Sequence, residues 1–274
     1  MTTGTKSISP TLFVGAGRMA SAIVEGLLSS GSARKQDLSC TCGKDPTGPA
    51  LAEKTGIRFV PDLTEGLPDA DLILLACKPQ QLADLPPTLA SGTRGKLILS
   101  ILAGIPLARL KEIFPEARNI VRVMPNTPAQ IGKGVSAYAS LKALEASDLE
   151  QVETLLRSMG KAVALDEAHM DAVTALSGSG PAYLFEFTRL LGEAGRNLGL
   201  PEEVAALLAR QTVTGAAALL EKRSDAHPED LVREVTSPGG TTEAALKALQ
   251  PDFEPLLKNA LTAARDRSRE LSRI

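Results

Sequence analysis

The sequence predicts an α/β fold up to about Asp166 and an all-helical region beyond it, so residues 1–166 and 167–274 are expected as two domains. Before Asp166, short apolar runs alternate with helical patterns. After it, strand signals stop and apolar residues recur at helical spacing. A third observation gives the first domain its type. Thr11-Leu-Phe-Val-Gly15-Ala-Gly17-Arg-Met-Ala20 is an apolar strand running into G-x-G-x-x-A, followed by an apolar-periodic helix with Ile23, Leu27 and Leu28. That is the dinucleotide fingerprint in its expected setting, and it predicts an N-terminal Rossmann-type domain. Gly15 makes the tight turn, Gly17 lets a pyrophosphate approach the backbone, and Ala20 lets the helix pack close to the strand.

The expected strands are residues 12–14, 38–42, 58–60, 72–76, 97–101, 119–123, 135–139 and 162–165. The first several are apolar almost throughout, as in a parallel sheet covered on both faces. The second ends about 20–25 residues past Gly17, where an NAD enzyme carries an acid for the ribose 2′-hydroxyl. No carboxylate stands at that end. Gly43 and Lys44 follow, and Lys44 either meets a 2′-phosphate as a point charge or is an ordinary loop lysine. Asp45, one residue later, weakens the first reading. The balance leans to NADPH, with NADH possible.

The fourth strand closes on Leu75-Ala-Cys77-Lys78-Pro79, at the end of the sheet where open α/β folds bind ligands. Ser100 and Ala103-Gly104 follow the fifth strand at the same rim. Met124-Pro-Asn126-Thr-Pro128 closes the sixth as a stiff loop. Asn126 there either edges the nicotinamide or satisfies its own backbone. Leu176-Ser-Gly-Ser-Gly-Pro-Ala-Tyr183 reads as a Gly-Ser turn that breaks and restarts a helical run beginning near Ala168. Glu167 sits at the domain junction, placed either to meet a substrate or as an ordinary helix-start charge.

In the helical domain, Tyr183, Phe187, Leu190, Leu191, Ala194 and Leu198 form one stripe. A second runs from Val204 to Leu220, and Gly199 with Pro201 separates the two. Residues 256–271 form a further amphipathic helix. Helices so rich in Ala and Leu leave apolar surface to cover and point to dimerisation, with a self-contained bundle as the alternative. Between these helices lies Thr236-Ser237-Pro-Gly239-Gly240-Thr241-Thr242-Glu243, a glycine loop feeding a helix start. Backbone N–H groups at such a place attract anions, and two threonine hydroxyls add to them. It suits a small carboxylate, although a plain helix cap would look similar.

Composition narrows the classes. A net charge of −2 gives no nucleic-acid footprint. No apolar run approaches a membrane span, and the polar start is unlike a signal peptide. Three cysteines make no disulfide framework and fit a reducing cytoplasm. Cys40 and Cys42 could share a strand face, but neither His169 nor His227 has a ligand-like neighbour, so no metal site is expected.

Together G-A-G-x-M-A, A-C-K-P, M-P-N-T-P, D-A-V-T-A-L-S-G-S-G-P-A-Y and V-T-S-P-G-G-T-T resemble the pyrroline-5-carboxylate reductase family, in order from Leu12 to about Arg269. The resemblance implies NADPH-dependent reduction of (S)-1-pyrroline-5-carboxylate, a cyclic imine carboxylate, to proline. It also implies a helical domain that interlocks two protomers, in several members assembled further into decamers. By the same resemblance, Gly15, Ala16, Gly17, Arg18 and Met19 hold the pyrophosphate. Cys77, Lys78 and Ala103 line the nicotinamide–ribose side, and Lys44 stands where the family usually has an Arg. Thr242 bonds the ring nitrogen. Thr241 and the Gly239-Gly240 backbone hold the carboxylate from the partner subunit, and Glu167 is a substrate-side acid. Leu63 and Gly43 replace residues that are often Asn.

The chemistry needs orientation more than acid–base power, which agrees with the lack of a histidine near the motifs. A β-hydroxyacid dehydrogenase shares the two-domain plan but needs a lysine on the inter-domain helix, and none occurs between Lys161 and Lys222. A six-membered-ring imine is a further substrate compatible with the same motifs. A non-catalytic NADPH-binding regulator would have no need of the loop from Ser237 to Thr242.

Overall fold

The computed structural model describes residues 7–82 and 85–272. They form two compact units. One runs to Ser179 and takes in the chain again from Ala264; the other is Gly180–Ala263.

The first unit opens with β1 (Thr11–Val14), α1 (Arg18–Ser29), β2 (Leu38–Thr41), α2 (Thr47–Thr55), β3 (Arg58–Phe59), α3 (Leu63–Gly66) and β4 (Leu72–Leu75). It continues through α4 (Thr88–Gly92), β5 (Leu97–Ser100), α5 (Leu107–Ile113), β6 (Asn119–Met124), β7 (Gly134–Ser140), α6 (Ala146–Arg157), β8 (Gly160–Ala164) and α7 (Met170–Val173). The strand order is β3-β2-β1-β4-β5-β6-β7-β8. The chain's first strand lies between its second and fourth, so the winding reverses at β1/β4. That reversal is the switch point outside which such sheets bind ligands.

Alternate residues of each strand feed two cores. Phe13, Leu74, Leu99 and Val121 pack on one face with Ile23 and Leu27 of α1. Leu12, Val14, Ile73, Leu75 and Ile98 pack on the other with Leu110 and Phe114. Both faces are therefore apolar, as the continuous runs required.

All eight expected strands are present, most displaced by one or two residues at their ends. β7 is the exception to the parallel pattern: it pairs antiparallel with β6, then parallel with β8. The short helical turn Thr127–Ile131 after β6 is too brief for a crossover and sends the chain straight back.

The first unit extends past the expected boundary at Asp166. Met170 and Ala175 are buried in it. The chain's end joins it as well: the Ser268 hydroxyl donates to Asp171 at 2.7 Å, and Leu271 packs against Gly104. The Gly-Ser segment expected to break and restart the helical run does so at Ser179, a bend after which a new helix starts at Gly180. Thr174–Gly178 is a π-helical turn, with the Ser179 N–H donating to the Thr174 carbonyl at 2.9 Å.

The second unit is helical: α8 (Gly180–Asn197), α9 (Glu202–Lys222), α10 (Pro228–Glu234) and the first part of α11 (Thr241–Leu271). α8 and α9 pack closely because both surfaces are small. A Cβ on Gly195 would lie 3.3 Å from Ala205 Cβ, and Ala205 and Ala209 are buried. Gly199, at φ +97°, turns the chain between them as expected. α11 is continuous through Pro251 and Pro255, so the helix expected over 256–271 already begins at Thr241. Each proline removes one N–H from the ladder, and the other bonds of a 31-residue helix carry it across.

Candidate functional site

At the β1/β4 switch point a crevice of about 800 Å³ opens. Gly15, Ala16 and Gly17 line its middle, Thr41, Asp45 and Leu63 stand toward β2, and Cys77 and Lys78 stand at the β4 end. Two glycines shape it differently. Gly15 has φ +108°, and a Cβ there would sit 2.5 Å from the Ala76–Cys77 peptide, so only glycine lets β1 turn against β4. At Gly17 an added Cβ would meet nothing within 4 Å. The backbone there faces open crevice, at the N-terminus of α1, whose first turn carries no side-chain cap. Unclaimed N–H groups and a helix dipole beside open space fit a dinucleotide pyrophosphate.

Beside it lies a smaller hollow of about 300 Å³ lined by Met19, Cys77, Ala103, Met124, Asn126 and Gly178. It shares Ala76 and Cys77, at the β4 end, with the larger crevice. Burial pushes the Cys77 thiol up from its usual pKa, so it is a neutral wall rather than a nucleophile. Cys40, deeper in the sheet, is pushed up to about 11 by burial.

Asn126 lines this hollow and also carries a structural duty. Its Oδ1 accepts from the Val135 N–H at 2.9 Å and its Nδ2 donates to the Ser177 carbonyl at 3.2 Å. The amide thus ties the Met-Pro-Asn loop to β7 and to the π turn. A Cβ on Gly178 would collide with the Met124 thioether methyl, so the π turn closes on this loop.

Glu167 is also committed. Its Oε1 accepts from the Leu107 N–H at 2.7 Å, at the start of α5, and from Arg122 at 2.9 Å. Arg122 is buried, and Glu167 is its ion-pair partner. Glu167, read from the resemblance as a substrate-side acid, is thus also the carboxylate that neutralises a buried guanidinium. Glu167→Ala is expected to cost about 2–3 kcal/mol, because it strands that charge. Glu167→Gln, which keeps an acceptor, costs about 1 kcal/mol. Urea unfolding checks both. A fully stable Glu167→Ala with a much raised substrate KM would return Glu167 to a direct substrate role.

Lys44 is exposed and is not among the residues lining the crevice; Asp45 is. Arg18 and Lys54 border a neighbouring depression between α1 and α2. Leu63 is buried beneath the β2 end of the crevice as part of the second core. Ser100 is fully buried and faces no ligand space.

In the second unit, the loop before α11 is built as a tight turn. The Gly240 N–H donates to the Ser237 carbonyl at 3.0 Å, with Pro238 and left-handed Gly239 (φ +74°) between, the pattern of a type II turn. The Gly239 N–H donates to the Glu243 carboxylate at 2.8 Å, which holds that carboxyl below its usual pKa. Both glycine N–H groups are therefore engaged inside the turn. The Thr241 and Thr242 hydroxyls have no hydrogen-bond partner among the described residues. With the N–H groups of the same first turn they are the donors left open to an anion.

Sequence reasoning misses Asp45 and Thr47 in the crevice, and Arg122 behind Glu167. Asp45 is visible in the sequence, but beside Lys44 it reads only as a disturbance. Nothing local marks an arginine that fills an apolar strand position.

Comparison with known proteins adds to this geometry. Residues 167–271 match the family model described as pyrroline-5-carboxylate reductase dimerisation, and residues 11–104 match one described as NADP oxidoreductase, coenzyme F420-dependent. The chain is 41% identical to pyrroline-5-carboxylate reductase of Pseudomonas aeruginosa, over 95% of this chain and 96% of that one. It is 38% identical to that of Arabidopsis thaliana, over 95% and 94%. Among solved structures, a pyrroline-5-carboxylate reductase from Coxiella burnetii superposes with a TM-score of 0.90 at 34% identity, covering 97% and 99% of the two chains. The Plasmodium falciparum pyrroline carboxylate reductase with NADP bound gives 0.83 at 30%, covering 98% and 100%.

Proposed function

The chain belongs to the pyrroline-5-carboxylate reductase family, and from that premise we propose how its residues divide the work. The enzyme reduces (S)-1-pyrroline-5-carboxylate to L-proline with NAD(P)H, the final step of proline biosynthesis. The observation that carries the reading is a dinucleotide crevice at the β1/β4 switch point in a chain that also carries a turn whose two threonine hydroxyls have no hydrogen-bond partner among the described residues.

When bound, the nicotinamide supplies a hydride to the C=N carbon. Everything else is positioning. Gly17, with Ala16, Arg18 and Met19, presents the α1 N-terminus to the pyrophosphate. Gly15 sets the turn that makes this possible. Cys77, Lys78 and Ala103 form the wall of the nicotinamide–ribose side, and Asn126 fixes the loop that edges it. Lys44 is the exposed cation nearest in sequence for a 2′-phosphate.

The substrate's carboxylate is held by the Thr241 hydroxyl and the backbone N–H groups of this turn, while Ser237, Gly239 and Gly240 shape the turn. Thr242 directs its hydroxyl at the ring nitrogen, which reaches the site protonated. The protein then needs no strong acid for the hydride step. The domains of function divide at 166/167, close to where the dimerisation match begins.

The same reading makes the protein a cytoplasmic homodimer built through its helices, with a decamer as the larger assembly. Support comes from Phe185, Leu198 and Leu207 in the second unit, which are 70%, 87% and 65% exposed in the single chain. Sedimentation that found only monomer at micromolar concentration would remove the dimer. The test of function is the initial rate of NADPH and NADH oxidation with pyrroline-5-carboxylate, with proline identified as product. Folded protein that binds NADPH and turns over no imine would leave only a nucleotide-binding role.

A further inference from the structure

We propose that the last turn of α11 is a positioning element of the cofactor site: through Leu271 and Ser268 it seats the turn between β5 and α5, and with it Ala103, against the nicotinamide half of the dinucleotide. The inference rests on the reductase reading for the nicotinamide's place in the smaller hollow, and its binding test needs no imine.

Ile101 and Ala103 of the segment between β5 and α5 line the hollow. Ala103 is exposed, whereas Gly104 beside it is buried. Leu102 to Ile105 form a turn with Gly104 at φ +79°, the left-handed third position of a type II turn. Its closing bond, from the Ile105 N–H to the Leu102 carbonyl, is 3.5 Å and therefore weak. The ends of the segment are tied. Ser100 Oγ accepts from the Leu102 N–H at 3.4 Å, and Glu167 accepts from the Leu107 N–H at 2.7 Å. The middle is backed by Leu271. The three heavy atoms nearest to where a Gly104 Cβ would stand all belong to Leu271, at 3.4 to 3.5 Å.

Leu271 is itself anchored one turn earlier. Among the described residues of α11, Ser268 alone is buried in the single chain. Its hydroxyl donates to Asp171 at 2.7 Å, and Arg269 lies 3.9 Å from the same carboxylate. A hydrogen bond is directional, so it fixes where along its axis the helix docks, and hence which residue meets Gly104. Asp171 follows Glu167 by four residues in one helical run. That run therefore holds both the end of the β5–α5 segment and the helix that backs its middle. Leu271, Ser268 and Asp171 are not among the residues lining the larger crevice, where Gly15 to Gly17 stand. Loosening the clamp frees Ala103 and leaves the pyrophosphate end of the dinucleotide site as it was.

The test is calorimetric titration of the full-length protein with NADP+ and with 2′-phospho-ADP-ribose, the same molecule without its nicotinamide. The native chain is compared with Leu271→Ala, Ser268→Ala and Leu271→Met. Both alanine variants should weaken NADP+ about three- to tenfold and leave 2′-phospho-ADP-ribose within about twofold. Leu271→Met, which keeps the volume, should behave as the native chain does. In turnover the alanine variants should lower kcat about tenfold, the effect of a misplaced nicotinamide, with the imine KM within about twofold. Leu271 is 44% exposed, so its variant keeps the test open even if the buried Ser268→Ala does not fold. The proposal is overturned if the two ligands weaken together, which is general loosening, or if neither weakens. A native chain without imine turnover, in which the two ligands still separate on Leu271→Ala, would count against the reductase reading and leave this inference standing.

Discussion

Gly17→Ala is expected to keep its full thermal stability and lose dinucleotide binding, whereas Gly15→Ala is expected to lose both. The two glycines belong to one motif, and their environments separate them. Gly15 has a backbone conformation that L-residues rarely adopt, and its Cβ would fall 2.5 Å from the peptide joining Ala76 to Cys77. Strain of about 1–3 kcal/mol and overpacking of similar size follow. In a chain of this length the melting temperature should fall on the order of 10 °C. Gly17 has φ −70°, open to any residue, and nothing within 4 Å of an added Cβ. Alanine there strains nothing in the folded chain, but its methyl stands where a pyrophosphate would approach the α1 N-terminus. Losing charge-assisted N–H contacts costs about 1.5–3 kcal/mol, or roughly ten- to a hundredfold in Kd. Melting curves and NADP+ titrations on both variants check the pair. A Gly17→Ala protein that binds normally would move the pyrophosphate elsewhere.

That contrast shows how the sequence carried this fold and where it stopped. G-x-G-x-x-A names the turn because glycine spacing is a local property. The parallel strands are legible because burial on both faces leaves an unbroken apolar run, as in Leu72–Leu75. The direction of β7 is not legible. Alternation in Gly134–Ser140 reads the same whether the strand runs with its neighbour or against it. The duties of Asn126 and Glu167 are hidden for a different reason. Both are polar groups at a promising rim, but their partners, Ser177 and Arg122, lie 51 and 45 residues away. A polar side chain's availability depends on contacts that only the fold brings together. The same holds for Lys44 and Asp45. Two adjacent opposite charges are equally visible in a sequence, and only the loop's geometry says which one lines the crevice.

Removing the Thr242 hydroxyl is expected to lower kcat/KM by about one to two orders of magnitude while leaving NADPH affinity and stability nearly unchanged. Thr242 sits in the first turn of α11, partly buried, and its hydroxyl has no hydrogen-bond partner among the described residues. Nothing in the folded chain therefore depends on it, and alanine is the better helix former. The turn before it is held by other groups: the Ser237 carbonyl on the Gly240 N–H, and Glu243 on the Gly239 N–H. An effect on turnover would accordingly report the substrate rather than a collapsed loop. A hydrogen bond to a charged partner contributes about 1.5–3 kcal/mol, which sets the expected range. Thr242→Ser, which restores the hydroxyl, should recover most of the activity. Thr242→Val, which keeps the shape without the hydroxyl, should behave as alanine does. If valine works as well as threonine, the hydroxyl does no chemistry. The grip on the substrate would then rest on the backbone N–H groups of this turn alone.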